Sequence, residues 1–289
     1  MANLKEIRSR ISSISSTMKI TSAMKMVSAA KLKKSQDRLQ SIKPYSSALK
    51  KSINNVLPSI NSSEIMLLSN FCETERVLII AISSNRGLCG GFNANILKKV
   101  HKETTETTSF FCVGKKAAEQ FSRISKNIVK KETEILDQPS VQACREVSKK
   151  IINDFTSGKW SKVVVVYNKF KNAATQTVEL EQILPILLED SSEQEEVVNN
   201  NVKDYIFEPD KTEIINSLIP EKIHTQLFEA ILNSIAAEHG ARMTAMHKAT
   251  DNAQELKDGL TLTYNRQRQA AITNEILEIV AGAEALKGS

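Results

Sequence analysis

Two hydrophobic stripes with a repeat of three and a half residues, one at each end of the chain, constrain this sequence more than any other feature. Leu4, Ile7, Ile11, Ile14 and Met18 step by three and four, and the same phase continues through Leu32, Leu39 and Ile42. Such a heptad seam runs along one side of a helix and needs a partner helix to cover it. Near the other end Phe228, Leu232, Ile235, His239, Arg242, Met246, Ala249, Ala253, Leu256 and Leu260 alternate four and three in the same way. No proline follows Pro220, and a helix of ~65 residues from there would be roughly 100 Å long. A domain of this size cannot bury that. Two such helices most economically pair with each other, and a chain that leaves along one and returns along the other makes the pair antiparallel.

The first helix is predicted from about residue 3 to about residue 56, with Pro44 a source of kinking and Pro58 an end signal. Within it, "ITSAMKMVSAAKL" carries Ile20, Ala23, Met24, Met26, Val27, Ala29 and Ala30 on nearly every side, while the seam positions become Thr21, Lys25 and Ser28. A helix apolar all round is enclosed on more than one side. The second seam is loosened by His239, Arg242, Thr263, Gln267 and Asn274, and Gly240 and Gly259 weaken its helix.

Between the seams the texture changes. "RVLIIAIS", "SFFCVG" and "KVVVVYNKF" read as short buried strands, separated by helical patterns at 94–102, 115–124 and 141–156. Alternation of apolar strands with helices implies an α/β layer with a largely parallel sheet. "QTVELEQILPI" adds an edge strand, because Pro185 excludes a central place. The acidic "EDSSEQEEVVNNN" reads as an exposed loop. The expected fold class is therefore α/β: a long antiparallel coiled coil of N- and C-terminal helices plus a Rossmann-like α/β domain. The expected division is 1–56, 74–210 and 211–289.

Composition narrows the class. The net charge of +6 is concentrated: residues 1–51 hold twelve Lys or Arg against Glu6 and Asp37. That segment suits nucleic acid, an anionic membrane surface or an acidic protein, and charge alone does not choose. Cys72, Cys89, Cys112 and Cys144 are scattered without C-x-x-C pairs, which speaks against zinc or a disulfide framework. Apolar runs such as "VLIIAI" are far shorter than a membrane span, and "MANLKEIRSR" lacks a signal-peptide core. A soluble, unprocessed bacterial chain is expected.

The stretch "AISSNRGLCGGFNAN" joins a strand to a helix through Gly87, Gly90 and Gly91 and raises the question of a phosphate cradle. Its spacing fits neither G-x-G-x-x-G nor G-x-x-x-x-G-K-[ST], so the three glycines are read as turn and packing residues. "VGKKAAE" at Val113 is weaker evidence still. His101, His224, His239 and His247 make no H-E-x-x-H, and Cys89 has no neighbouring acid or base. Neither a catalytic constellation, nor a metal site, nor a cofactor site emerges.

Three stretches together resemble the gamma subunit of F-type ATP synthases: "ITSAMKMVSAAKLKKSQ", "SSNRGLCGGFNANI" and "ARMTAMHKATDNAQELKDGLTLTYNRQRQAAITNEILEIVAGAEAL". The resemblance runs from near Leu4 to Leu286, carried in the middle by pattern more than by motif. It implies a non-catalytic rotor shaft, peripheral to the cytoplasmic face of a bacterial membrane. The shaft would be inserted among alpha and beta subunits and joined below to epsilon and the c-ring, so that ring rotation drives the catalytic beta subunits. It implies beta-subunit contacts at Met24, Lys25, Arg268, Gln269 and Thr273, and epsilon or c-ring contacts at Tyr205 and Glu208 in "DYIFEPD". It also implies that basic residues such as Lys31, Lys33 and Lys34 face the acidic lower segments of beta. Two other readings compete. A nucleotide-binding α/β enzyme with a coiled-coil arm lacks the loop spacing it needs. A nucleic-acid-binding coiled coil has only Tyr45 among its lysines for base stacking.

Overall fold

The computed structural model describes residues 4–56, 67, 75–105, 107–124, 127–186, 208 and 210–287. Among the described residues eleven elements follow one another: α1 (Leu4–Val56), β1 (Val77–Ile82), α2 (Phe92–Glu103), β2 (Thr108–Val113), α3 (Lys115–Ile124), β3 (Ile128–Glu132), α4 (Glu134–Asp137), α5 (Val141–Thr156), β4 (Lys162–Phe170), β5 (Gln176–Leu184) and α6 (Lys211–Lys287). Pro44 lies inside α1 and Pro220 inside α6, so neither ends its helix. The chain forms two compact units, one of Met1–Ser28 with Arg242–Ser289 and one of Ala29–Ala241.

The larger unit is built on a five-stranded sheet in the order β3-β2-β1-β4-β5. β1 pairs in parallel with β2 and β4, β2 in parallel with β3, and β5 closes the edge antiparallel to β4. Because β1 is central, both of its faces are covered, which is why it reads as an unbroken apolar run rather than an alternating one. Leu78, Ile80 and Ile82 face one layer with Phe111, Val163 and Val165. That layer is filled by Cys144, Val147, Ile151 and Phe155 of α5 and by Ile215, Ile219, Ile223 and Leu227 of α6. Ile79 and Ala81 face the other layer, against Phe92, Ile96 and Val100 of α2 and Ala117 and Phe121 of α3. There the Phe110 and Phe121 rings stack with centroids 4.8 Å apart. Each isoleucine fully removed from water in such a layer contributes about 2 kcal/mol.

Two elements go beyond the sequence reading. β3, "IVKKE", and the one-turn α4 extend the sheet past β2. β3 is an edge strand whose burial alternates half-buried with exposed: Ile128 and Lys130 lie on the half-buried side, Lys130 over the Phe111 ring, while Val129 and Lys131 face water, so the apolar letters carry no period. In this unit α1 contributes buried Leu32, Leu39, Leu49 and Ile53 at heptad spacing, and Ser46 donates to Glu229 of α6 at 3.0 Å. α5 and α6 are clamped by Arg145, whose guanidinium gives Glu221 two bonds of 2.8 and 2.9 Å.

In the smaller unit α1 and α6 run antiparallel: Thr21 meets Thr250 at 2.8 Å, and four residues on, Lys25 meets His247 at 3.4 Å. The seam of α6 here passes through Met246, Thr250, Ala253, Lys257, Leu260 and Tyr264, all buried or half-buried. That corrects the seam read from the letters. Leu256, expected inside, is 61% exposed, and Thr263 is exposed while Tyr264 turns inward. Thr250 enters the seam bonded to the Thr21 hydroxyl, and Leu256 lies one position off it.

Candidate functional site

The carboxyl ends of β1, β2 and β4 are where an open α/β sheet would hold a ligand, at the point where the strand order reverses. Here that place is filled by the chain's own groups. After β1 the buried Ser83 donates its N–H to the Val113 carbonyl at 2.8 Å, extending the ladder. The N–H groups opening α3, which at such a helix start would grip phosphate, are engaged one by one. Lys115 donates to the Asn85 side-chain oxygen at 3.1 Å and Lys116 to the Ser84 carbonyl at 3.1 Å. Ala117 donates to Ser83 Oγ at 2.7 Å. Gly114 fits beneath them only because it has no side chain, since a Cβ there would lie 2.7 Å from Ser83 Oγ and 2.8 Å from the Ser83 carbonyl. Between β1 and β4, the buried Asn168 gives its amide to the Phe92 carbonyl at 3.2 Å.

The glycine loop is pinned from beneath. Asn85 donates to Thr133 O at 2.8 Å and to Asp137 at 3.1 Å. Asn93 donates to Ser84 Oγ at 2.8 Å and to Cys89 Sγ at 3.2 Å. Cys89 is buried, so its sulfur serves as an acceptor in a polar knot as well as a small packing group. Of the three glycines only Gly90 takes a left-handed backbone, φ 59°, and it shares that conformation with Leu88, φ 63°. Gly87 has open space where a Cβ would stand, and Gly91 would make ordinary contact with Asn95. Leu88 is held with its side chain 64% exposed at the tip.

The residues expected to meet partners fall on the smaller unit, at two levels. Met24 and Lys25 are half-buried on α1. Arg268, Gln269 and Thr273 are exposed on α6, where the Thr273 hydroxyl bonds to the Gln269 carbonyl at 2.9 Å. Lys25 sits opposite His247, and at 1.5 Å per residue the turn carrying Arg268 is about 30 Å further along the helix. The two groups are therefore not brought together. From 268 to 283 every side chain is exposed, Ile272, Ile276, Leu277, Ile279 and Val280 among them. On α1, Ile20, Met26 and Val27 are 57 to 65% exposed. Glu208 is exposed, and Tyr205 lies outside the described residues.

Sequence reasoning missed His247 and Asp251 as neighbours of Lys25, 3.3 Å apart on one helix face. Their spacing of four was the available signal. Among the described residues no group of three or more His, Cys, Asp or Glu gathers as a metal site, and no helix is long and apolar enough to cross a membrane.

The ATP synthase family model matches residues 3–286. The chain is 48% identical to the ATP synthase gamma chain of Flavobacterium psychrophilum and 49% identical to that of Christiangramia forsetii, each alignment covering 100% of both chains. Among solved structures it resembles a chain of the Euglena gracilis mitochondrial ATP synthase OSCP/F1/c-ring assembly. There the TM-score is 0.72 and the identity 19%, over 98% of this chain and 94% of that one. It also resembles a chain of the Tetrahymena thermophila mitochondrial central stalk and c-ring, with a TM-score of 0.60 and 21% identity, over 80% of this chain and 99% of that one. Full-length identity of that order, over a sheet flanked by two long helices, places the chain in the ATP synthase gamma chain family, as a non-catalytic subunit.

Proposed function

We infer that the paired helices of the smaller unit are the rotor shaft of an ATP synthase, working inside a sleeve of alpha and beta subunits. The chain is a central-stalk subunit and catalyses nothing itself. One observation carries the reading of the sleeve. The seam between the helices is already filled, yet Ile20, Met26 and Val27 on α1 and Leu256 and Leu262 on α6 stand exposed outside it. A coil with a second apolar surface outside its own seam is built to be surrounded.

Within that sleeve Met24 and Lys25 form one level of beta-subunit contact and Arg268, Gln269 and Thr273 the other, about 30 Å apart. Arg268 and Gln269, both exposed, offer donors to loop carboxylates. Below, Tyr205 and Glu208 are assigned to epsilon and the c-ring, at the cytoplasmic face of a bacterial membrane. Ring rotation then turns the shaft, whose uneven surface drives the catalytic beta subunits through successive nucleotide affinities.

The nucleotide-enzyme reading has lost support, since the amides that would cradle a phosphate are engaged by Ser83, Ser84 and Asn85. A tagged chain purified from membranes is expected to bring alpha, beta and epsilon subunits with it. Replacing Arg268 and Gln269 together by alanine should lower coupled turnover of the reassembled complex severalfold and leave the helix content of the chain unchanged. Full turnover after loss of both side chains and of residues 4–20 would overturn the shaft.

A further inference from the structure

Lys25 and Asp251 reach for the same atom. The Nδ1 of His247 lies 3.4 Å from Lys25 Nζ and 3.3 Å from Asp251 Oδ2. A ring nitrogen presents either a lone pair or a proton. With the proton on Nε2 alone, Nδ1 accepts from the Lys25 ammonium and has nothing to give the carboxylate. Once a proton from water is added at Nδ1, that nitrogen donates to Asp251 and repels the ammonium.

We propose that His247 is the positioning residue of Lys25: its neutral form holds the ammonium against the coil, and its charged form turns to Asp251 and releases the ammonium to the outer surface. Lys25 from α1 and Asp251 from α6 are the charged groups that face the ring among the described residues, one from each packed helix. The ring is 56% exposed, so a proton reaches it from solvent. Exposed pairs of this kind are weak, which leaves neither arrangement locked, and histidine is the side-chain type that changes charge near neutrality. The functional consequence rests on the reading of Lys25 as a shaft contact. The ammonium would be presented to the surrounding subunit in one protonation state and withheld in the other.

The test follows the lysine directly. In the full-length chain carrying isotope-labelled lysine, the Lys25 side-chain signal, identified by its loss in Lys25→Arg, is followed by NMR from pH 5 to 8.5 beside the histidine ring signals. It is expected to move in step with the His247 ring while those of Lys19 and Lys31 stay still. His247→Gln, an acceptor that never charges, should fix the Lys25 signal at its high-pH position, and His247→Ala at its low-pH position. A Lys25 signal that ignores the ring, or that titrates equally in His247→Gln, overturns the positioning role. In the reassembled complex, turnover of His247→Ala and His247→Gln is expected to differ by about two- to fivefold. A switching lysine signal with identical turnover would instead refute Lys25 as a contact.

Discussion

Gly114 offers a stringent test of how the sheet's ligand crevice is closed. It carries φ 105°, and a Cβ there would stand 2.7 Å from Ser83 Oγ, 2.8 Å from the Ser83 carbonyl and 3.0 Å from Leu136 Cδ1. The carbonyl belongs to backbone that continues the β1 ladder and cannot give way. The hydroxyl could swing aside only by abandoning the Ala117 N–H. For Gly114→Ala the backbone conformation costs about 1 to 3 kcal/mol, forced packing about 1 to 3 kcal/mol and the lost cap about 1 kcal/mol. An overall loss of about 4 kcal/mol is expected, a large fraction of the 5 to 15 kcal/mol that holds a typical domain together. The single tryptophan, Trp160, is 6% exposed in the same core and reports its unfolding. Followed by its fluorescence in urea, the midpoint should fall by roughly 1 to 3 M. Gly87→Ala, with nothing within 4 Å of the new carbon, should stay within about 0.5 kcal/mol of the parent. Equal midpoints for the two variants would refute the closed-crevice account.

Three further outcomes can be measured on the same chain. His224 is 4% exposed and bonds through Nδ1 to Ser148, and burial holds its pKa below the ordinary value, with Glu221 opposing and Arg145 and Lys149 reinforcing. The unfolded chain takes up a proton near pH 6.5 that the folded chain refuses, so stability should fall as pH drops from there towards the depressed folded pKa. His224→Gln should remove that part of the pH dependence of the urea midpoint. Burial pushes the Cys112 thiol up to about 11 and that of Cys144 up to about 12. Neither should react with a thiol reagent at pH 8 until the Trp160 transition, and rapid native labelling would contradict their burial. In the coil, Met246→Ala, at a position 5% exposed, should cost about 2 kcal/mol. Leu256→Ala should cost less than about 0.5 kcal/mol; circular dichroism in urea distinguishes them, and the reverse order would restore the seam drawn from apolar letters.

The legible part of the sequence was the part with a strong period. β1 and β4 are buried on both faces and appear as unbroken apolar runs, and the predicted bounds of α3 and α5 agree with the structure because one side of each faces the sheet. β3 was not legible, because its half-buried face carries Lys130 and its exposed face carries Val129, so the edge strand has no apolar alternation to read. In the coil the period was correct, and the phase held along α1 and at Met246, Ala253 and Leu260 of α6, whereas the intervening row of α6 lies one residue further on, at Thr250, Lys257 and Tyr264. Periodicity counts apolar letters, whereas the shifted row of α6 holds Thr250, bonded to Thr21, and Lys257, which no hydropathy pattern marks as inside. The same limit applies at the crevice. The glycine spacing argued against a phosphate site, but the side chains that close it, Ser83, Asn85 and Asn168, look in sequence like ordinary turn and strand-end polar residues.

The closure of that crevice bears on what the sheet contributes to a machine. In a ligand-binding α/β layer the groups at the strand ends are completed only when the small molecule arrives, so the stiffness of the layer rises and falls with the concentration of that molecule. Here Ser83, Asn85 and Asn168 supply the missing bonds permanently. The bonds that brace these strand ends are therefore internal to the chain, and their number does not change with the concentration of any small molecule.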